Sequence, residues 1–134
     1  FNPLALQRLA VACTPAGAAG PSRRVVQALF EHVWAAEGAD ANDPARLESL
    51  AATLAPARDP QSDAVKQALR ASTEVALAQG VFGVPAFGCD GRLFWGLDAL
   101  PMLRAALSAD PWFDGPAWAD AAAARPAVQR GAKT

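Results

Sequence analysis

A chain of 134 residues, 52% of them hydrophobic, fits one domain and is long enough to bury a core. Twelve Lys and Arg against thirteen Asp and Glu leave a net charge of −1; neither sign gathers into a long block, which excludes a nucleic-acid or acidic-membrane partner from the expectations. No apolar run reaches the roughly 18 residues of a spanning helix, and no basic segment with an apolar stretch behind it opens the chain, so no membrane segment is expected and a cytoplasmic protein is.

The chain opens at Phe1, without methionine, in a cap-like Phe-Asn-Pro, and its one methionine is Met102; a piece of something longer is expected. Asn2 and Pro3 read as an N-cap with proline at the first helical position, and Leu6, Leu9, Ala10 and Cys13 then recur at helical spacing until Thr-Pro-Ala-Gly stops the run. Ser22 caps a second helix with Val26, Leu29, Phe30 and Val33 on one face and Gly38 as its C′ residue. Asp43-Pro44 repeats the cap-and-proline start, with Leu47, Leu50, Ala51 and Leu54 as the next stripe and Pro56 as its end. A fourth helix is expected from about Pro60 to Gln79, with Val65, Ala68, Leu69, Ser72 and Ala76 inward and Gly80 as terminator. Each stripe is most simply read as core.

From Val81 the period changes. Ala86 to Cys89 and Arg92 to Trp95 read as strands joined by Asp90-Gly91, a strong two-residue hairpin signal because a type I′ turn needs positive φ at both central positions. After Gly96, the run from Asp98 reads as a last helix with Leu100, Leu103 and Leu107 inward and Pro101 tolerated in its first turn. Trp112, Phe113 and Trp118 are expected to pin the start of the Ala- and Pro-rich tail, and residues beyond about 120 to be mobile. The organisation expected is a helical region over 1–79, a strand-strand-helix part over 80–110 and a tail over 111–134.

Cys13 and Cys89 lie far apart in sequence, with no C-x-x-C, and His32 is the single histidine. A metal site or dithiol centre within the chain is therefore not expected; the thiols read as reduced, partly buried side chains and His32 as a surface or packing residue. A two-stranded hairpin alone is marginal in water. Its sheet is expected either from a partner subunit or from an N-terminal β-α-β segment.

Proline lacks an N–H and is confined to strand starts and edges. After valine and flanked by glycine, Pro85 is a candidate for a cis peptide, which would turn the Val84 backbone outward to pair with an extended peptide. The competing reading is a plain tight turn.

The run Gly-Val-Phe-Gly-Val-Pro-Ala-Phe, followed by Asp-Gly-Arg-Leu-Phe-Trp-Gly-Leu-Asp-Ala-Leu-Pro-Met-Leu, resembles the C-terminal signature of the 2-hydroxychromene-2-carboxylate isomerases and their kappa-class glutathione transferase relatives. The helical stretch before it is similar to that family's helical insertion, so the likeness covers about residues 1–108. The resemblance implies an α/β, DsbA-like thioredoxin-like fold with a helical insertion, mostly helical here and ending in a β-hairpin plus helix, with the first β-α-β unit outside this chain. It implies glutathione as cofactor, held by Val84 and Pro85 and by Trp95, Gly96, Leu97 and Asp98; Asn2 is the residue matched to the organic substrate. The catalytic serine of the family, at the start of the first thioredoxin helix, has no counterpart, and no catalytic residue is assigned.

The implied reaction is thiol addition to an unsaturated aromatic ketoacid, bond rotation and elimination, as in naphthalene-type aromatic degradation, by a homodimer. Gly88 and Cys89 depart from the bulkier residues usual in that strand, and Leu97 from a common polar one. Two rivals remain: a DsbA-like dithiol–disulfide oxidoreductase, whose last helix tends to start with Ser-Gly-Ala-Gln, and a non-catalytic helical interaction module.

Overall fold

The computed structural model describes residues 1–35 and 38–121. The chain divides into two compact units, Phe1–Ala76 and a second that begins at Leu77. The expected mobility beyond residue 120 falls, after Ala121, outside the described residues. Among the described residues no helix is long and apolar enough to cross a membrane.

The first unit is helical because its sequence supplies stripes and caps together. Helix α1 (Leu4–Ala12) is preceded by Asn2, whose Oδ1 accepts the Leu4 N–H at 3.0 Å. Helix α2 (Arg23–Trp34) is capped by Ser22, whose hydroxyl accepts the Val25 N–H at 3.4 Å. Helix α3 (Pro44–Leu54) starts at Pro44, with Asp43 accepting the Arg46 N–H at 2.9 Å. Helix α4 (Asp63–Ala78) starts three residues after Pro60, because Asp59 closes a turn onto the Gln61 N–H and Ser62 takes the cap, its hydroxyl accepting from Val65.

Leu6, Leu9, Val25, Leu50 and Leu54 form one buried cluster, with Cys13, Ala28, Leu29, Val33, Leu47 and Ala51 packed around it. Leu29 and Val33 of the expected α2 stripe pack here as read, and the other half of the stripe is corrected. Val25 is buried, whereas Val26 and Phe30 are exposed, so the buried face is shifted toward Val25 and Ala28. Two overlapping apolar stripes that share Leu29 and Val33 both satisfy a 3.6-residue period, and contact with α1 and α3 selects the one with Val25 and Ala28. The helix also closes at Ala35, so Gly38 lies beyond its C-cap instead of next to it. On α4, Val65 is fully buried, Ala68, Leu69 and Ala76 are half-buried, and Ser72 is exposed. His32 packs as expected: its Nε2 meets the Ala41 carbonyl at 2.9 Å, while Arg46 donates to the His32 carbonyl at 2.6 Å.

In the second unit, β1 (Ala86–Cys89) and β2 (Arg92–Trp95) pair antiparallel, Cys89 opposite Arg92 and Ala86 opposite Trp95. Asp90 and Gly91 join them with φ of +48° and +74°, the left-handed pair that the I′ turn requires. Phe94 is the buried residue of the hairpin, and Phe113 and Trp118 close over it at centroid distances of 6.0 and 5.9 Å. Arg92 ties the same segment down through the Phe113 carbonyl and Asp114. The tail aromatics therefore pin the chain as expected, in a 3₁₀ turn (Pro111–Asp114) and in α6 (Pro116–Ala121).

A 3₁₀ turn (Leu97–Ala99) leads into α5 (Leu100–Leu107), which packs on both strands. Leu100 and Leu107 are exposed, contrary to the inward stripe expected, and Leu103 is half-buried. Two strands about 4.8 Å apart make a platform narrower than a helix about 10 Å wide, so one row of side chains is covered and the rows beside it are not.

Candidate functional site

The hairpin positions the candidate residues by running one hydrogen bond past its strands. The Gly96 N–H donates to the Pro85 carbonyl at 2.9 Å. Pro85 has no N–H to return, so pairing stops there, and Val84-Pro85 is held beside Trp95-Gly96. The Val84–Pro85 peptide is cis, as the sequence reading expected. Val84 is 86% exposed, and among the described residues neither its N–H nor its C=O has a partner.

Trp95, half exposed, lies against the chain just before this edge. Its indole Nε1 is so near Gly83 that a Cβ there would come within 2.5 Å, and its ring sits 5.1 Å from that of Phe82 at 46°. Gly96 has φ +90°, where a side chain is disfavoured, and the Asp98 carboxylate folds over its Cα into the space a Cβ would need. Asp98 is exposed and, among the described residues, has neither a hydrogen bond nor an ion pair. The leading N–H groups of Leu97 and Asp98 are likewise without a partner there; the Ala99 N–H reaches the Gly96 carbonyl at 3.4 Å.

Six predicted residues, Val84, Pro85, Trp95, Gly96, Leu97 and Asp98, thus come together. Chemically they offer a short main-chain edge that can pair with an extended peptide, helix-start N–H groups that suit a carboxylate, and a carboxylate that suits an ammonium. Leu97 and Phe82 are exposed as well, which gives the edge an apolar rim.

Asn2 lies in the first unit. Its Oδ1 serves the Leu4 N–H, and the Asn42 amide, oriented to satisfy both groups, donates to the Asn2 carbonyl at 2.7 Å and accepts from its N–H at 3.0 Å. The side-chain nitrogen of Asn2 is the part left for another ligand. Burial pushes the Cys13 thiol above its ordinary 9.0, against a smaller opposite pull from Arg24, which favours the thiol over the thiolate. The Cys89 Sγ lies 3.8 Å from the Asp90 carboxylate. Among the described residues, no three of His, Cys, Asp and Glu are grouped as metal ligands.

The sequence reading missed Gly83 and Phe82. The signal available was a glycine two residues ahead of the proline, but its meaning depends on an indole twelve residues further on.

Comparison with curated proteins and with solved structures gave no match. Residues 2–108 match the DSBA-like thioredoxin domain, which takes in both the helical stripes and the proline-hairpin-helix segment. The chain belongs to the family of DSBA-like thioredoxin domains, and its α/β fold is the thioredoxin-like one.

Proposed function

We propose that the edge at Val84, Pro85 and Trp95 to Asp98 holds glutathione for a glutathione-dependent isomerase of the 2-hydroxychromene-2-carboxylate type, a homodimer acting on an unsaturated aromatic ketoacid. The observation that carries this reading is the conjunction of an unpaired Val84 backbone with an unpaired Asp98 carboxylate, brought together by the Gly96 to Pro85 hydrogen bond. The donor set fits the tripeptide: main-chain groups for its cysteinyl unit, free N–H groups of Leu97 and Asp98 for the γ-glutamyl carboxylate, and Asp98 for the γ-glutamyl ammonium. When bound, glutathione supplies the thiol whose addition to a conjugated double bond, and later elimination, lets that bond rotate.

The chain's own residues contribute positioning. Val84 fixes the extended direction of the peptide, Asp98 its amino end, and Trp95 with Phe82 an apolar wall that excludes water on one side. Asn2, in the first unit, has its amide oxygen committed to α1 and keeps its amide nitrogen as a donor. Both cysteines are free thiols, and neither is assigned a redox role. A dithiol–disulfide oxidoreductase would share the Val84 edge; the exposed carboxylate at the helix start, suited to an ammonium, favours glutathione.

Calorimetric titration of glutathione into the 134-residue chain tests this. Saturable heat at millimolar ligand is expected, weakened in Asp98→Ala by about 1–3 kcal/mol, the scale of a hydrogen bond to a charged group. No heat at millimolar ligand, or equal affinity in the variant, sinks the reading.

A further inference from the structure

A groove in the first unit gathers three cationic side chains around a cleft of about 560 Å³: Arg8 from α1, and Lys66 and Arg70, one turn apart on α4. One carboxylate, Glu74, shares the lining. Lys66 is paired to Asp63 at 3.3 Å, but both side chains are exposed, so the pair is weak and Lys66 is available to another anion. Neither Arg8 nor Arg70 forms an ion pair among the described residues. The Arg8 guanidinium has one hydrogen bond there, from Nη1 to Gln61 Oε1 at 3.3 Å, and its Nε is shut away from water without a partner.

A guanidinium that has given up part of its hydration and received no anion is in an unfavourable setting; an anion on its terminal nitrogens leaves Nε unpaired but offsets the charge and makes charge-assisted hydrogen bonds. The volume lies within the range of small-ligand pockets. Leu4 and Leu69 add apolar surface, and Gln67 and Thr73 add neutral hydrogen-bonding groups. We propose that this groove binds a compact dianion of the phosphate or dicarboxylate kind, held chiefly by Arg8 and Arg70. This rests on the first unit alone and not on the glutathione reading.

The test uses the intact chain at low ionic strength, with inorganic phosphate and succinate as probes and sodium chloride at matched ionic strength as the control, read by calorimetry and thermal melting. Saturable binding of either probe is expected, with a rise in Tm that chloride does not reproduce and at least a tenfold loss of affinity in Arg8→Gln and in Arg70→Gln. Arg70 is exposed and, among the described residues, forms no ion pair, so its variant remains informative where Arg8→Gln unfolds. Equal stabilisation by chloride, absence of saturable binding, or unchanged affinity in Arg70→Gln overturns the proposal.

Discussion

The two units solve the same problem with different side chains. The first buries aliphatic residues on helices whose ends are satisfied by Asn2, Ser22 and Asp43; the second buries Phe94 and Phe113 beside Trp118, around a hairpin too small to cover all of its own apolar residues. Exposure therefore means different things in each. Phe30 and Trp34 are exposed in the first unit with rings 4.9 Å apart, but they stand on a helix whose backbone bonds run within the helix. Around Val84 an apolar rim coincides with main-chain groups that have no partner among the described residues, a combination that exposed rings on a helix lack.

The largest effect expected is in the aromatic unit. Phe94→Ala removes the ring on which Phe113 and Trp118 close and should cost about 3–5 kcal/mol in urea unfolding, with hydrogen-exchange protection lost first in β1 and β2. Loss appearing first in α1 to α3 would break the division into two separately built cores. Next comes the helical unit: Asp43→Ala leaves the Arg46 N–H without its cap and should cost about 1 kcal/mol. A cost matching that of Phe94→Ala would mean that caps, and not the leucine cluster, hold the first unit.

What the sequence disclosed follows from how local each rule is. The cap-and-proline start at Asp43, the Ser22 cap and the Asp90-Gly91 turn need only neighbours in the chain, and the hairpin register came out as read. The cis Val84–Pro85 bond was legible for the same reason. The facing of α2 was not, because Val25 and Val26 head equally periodic stripes and only contact with α1 and α3 separates them. The outward Leu100 and Leu107 depended on how wide a sheet the helix would find. Gly83 and the Arg8–Arg70 groove depend on residues far apart in sequence, which no spacing rule connects.

A smaller effect isolates the Val84 edge from the core of the same unit. In Gly83→Ala the new Cβ displaces the Trp95 indole, which is half exposed and can give way, so stability should change by no more than about 0.5 kcal/mol. Tryptophan emission should change relative to wild type, the change should vanish in the Trp95→Phe background, and glutathione affinity should fall. A loss of stability as large as that of Phe94→Ala would place Trp95 in the core of the second unit instead of on its edge.

The smallest effect is a titration in the helical unit. Burial raises the Cys13 thiol above 9.0 in the folded chain, with Arg24 opposing it. The unfolded chain gives up that proton at lower pH than the folded one, so the contribution is complete below about pH 9 and is lost as pH rises through the folded value. Replacing Cys13 by alanine removes the titration and leaves a packing deficit that does not depend on pH. The Tm gap between wild type and Cys13→Ala should then be constant from neutral pH to about pH 9 and narrow above it, other groups titrating alike in both proteins. A gap that stays level into the alkaline range would mean that Cys13 is not packed against the leucine cluster, and the contrast between a closed aliphatic unit and an open aromatic one would lose its first half.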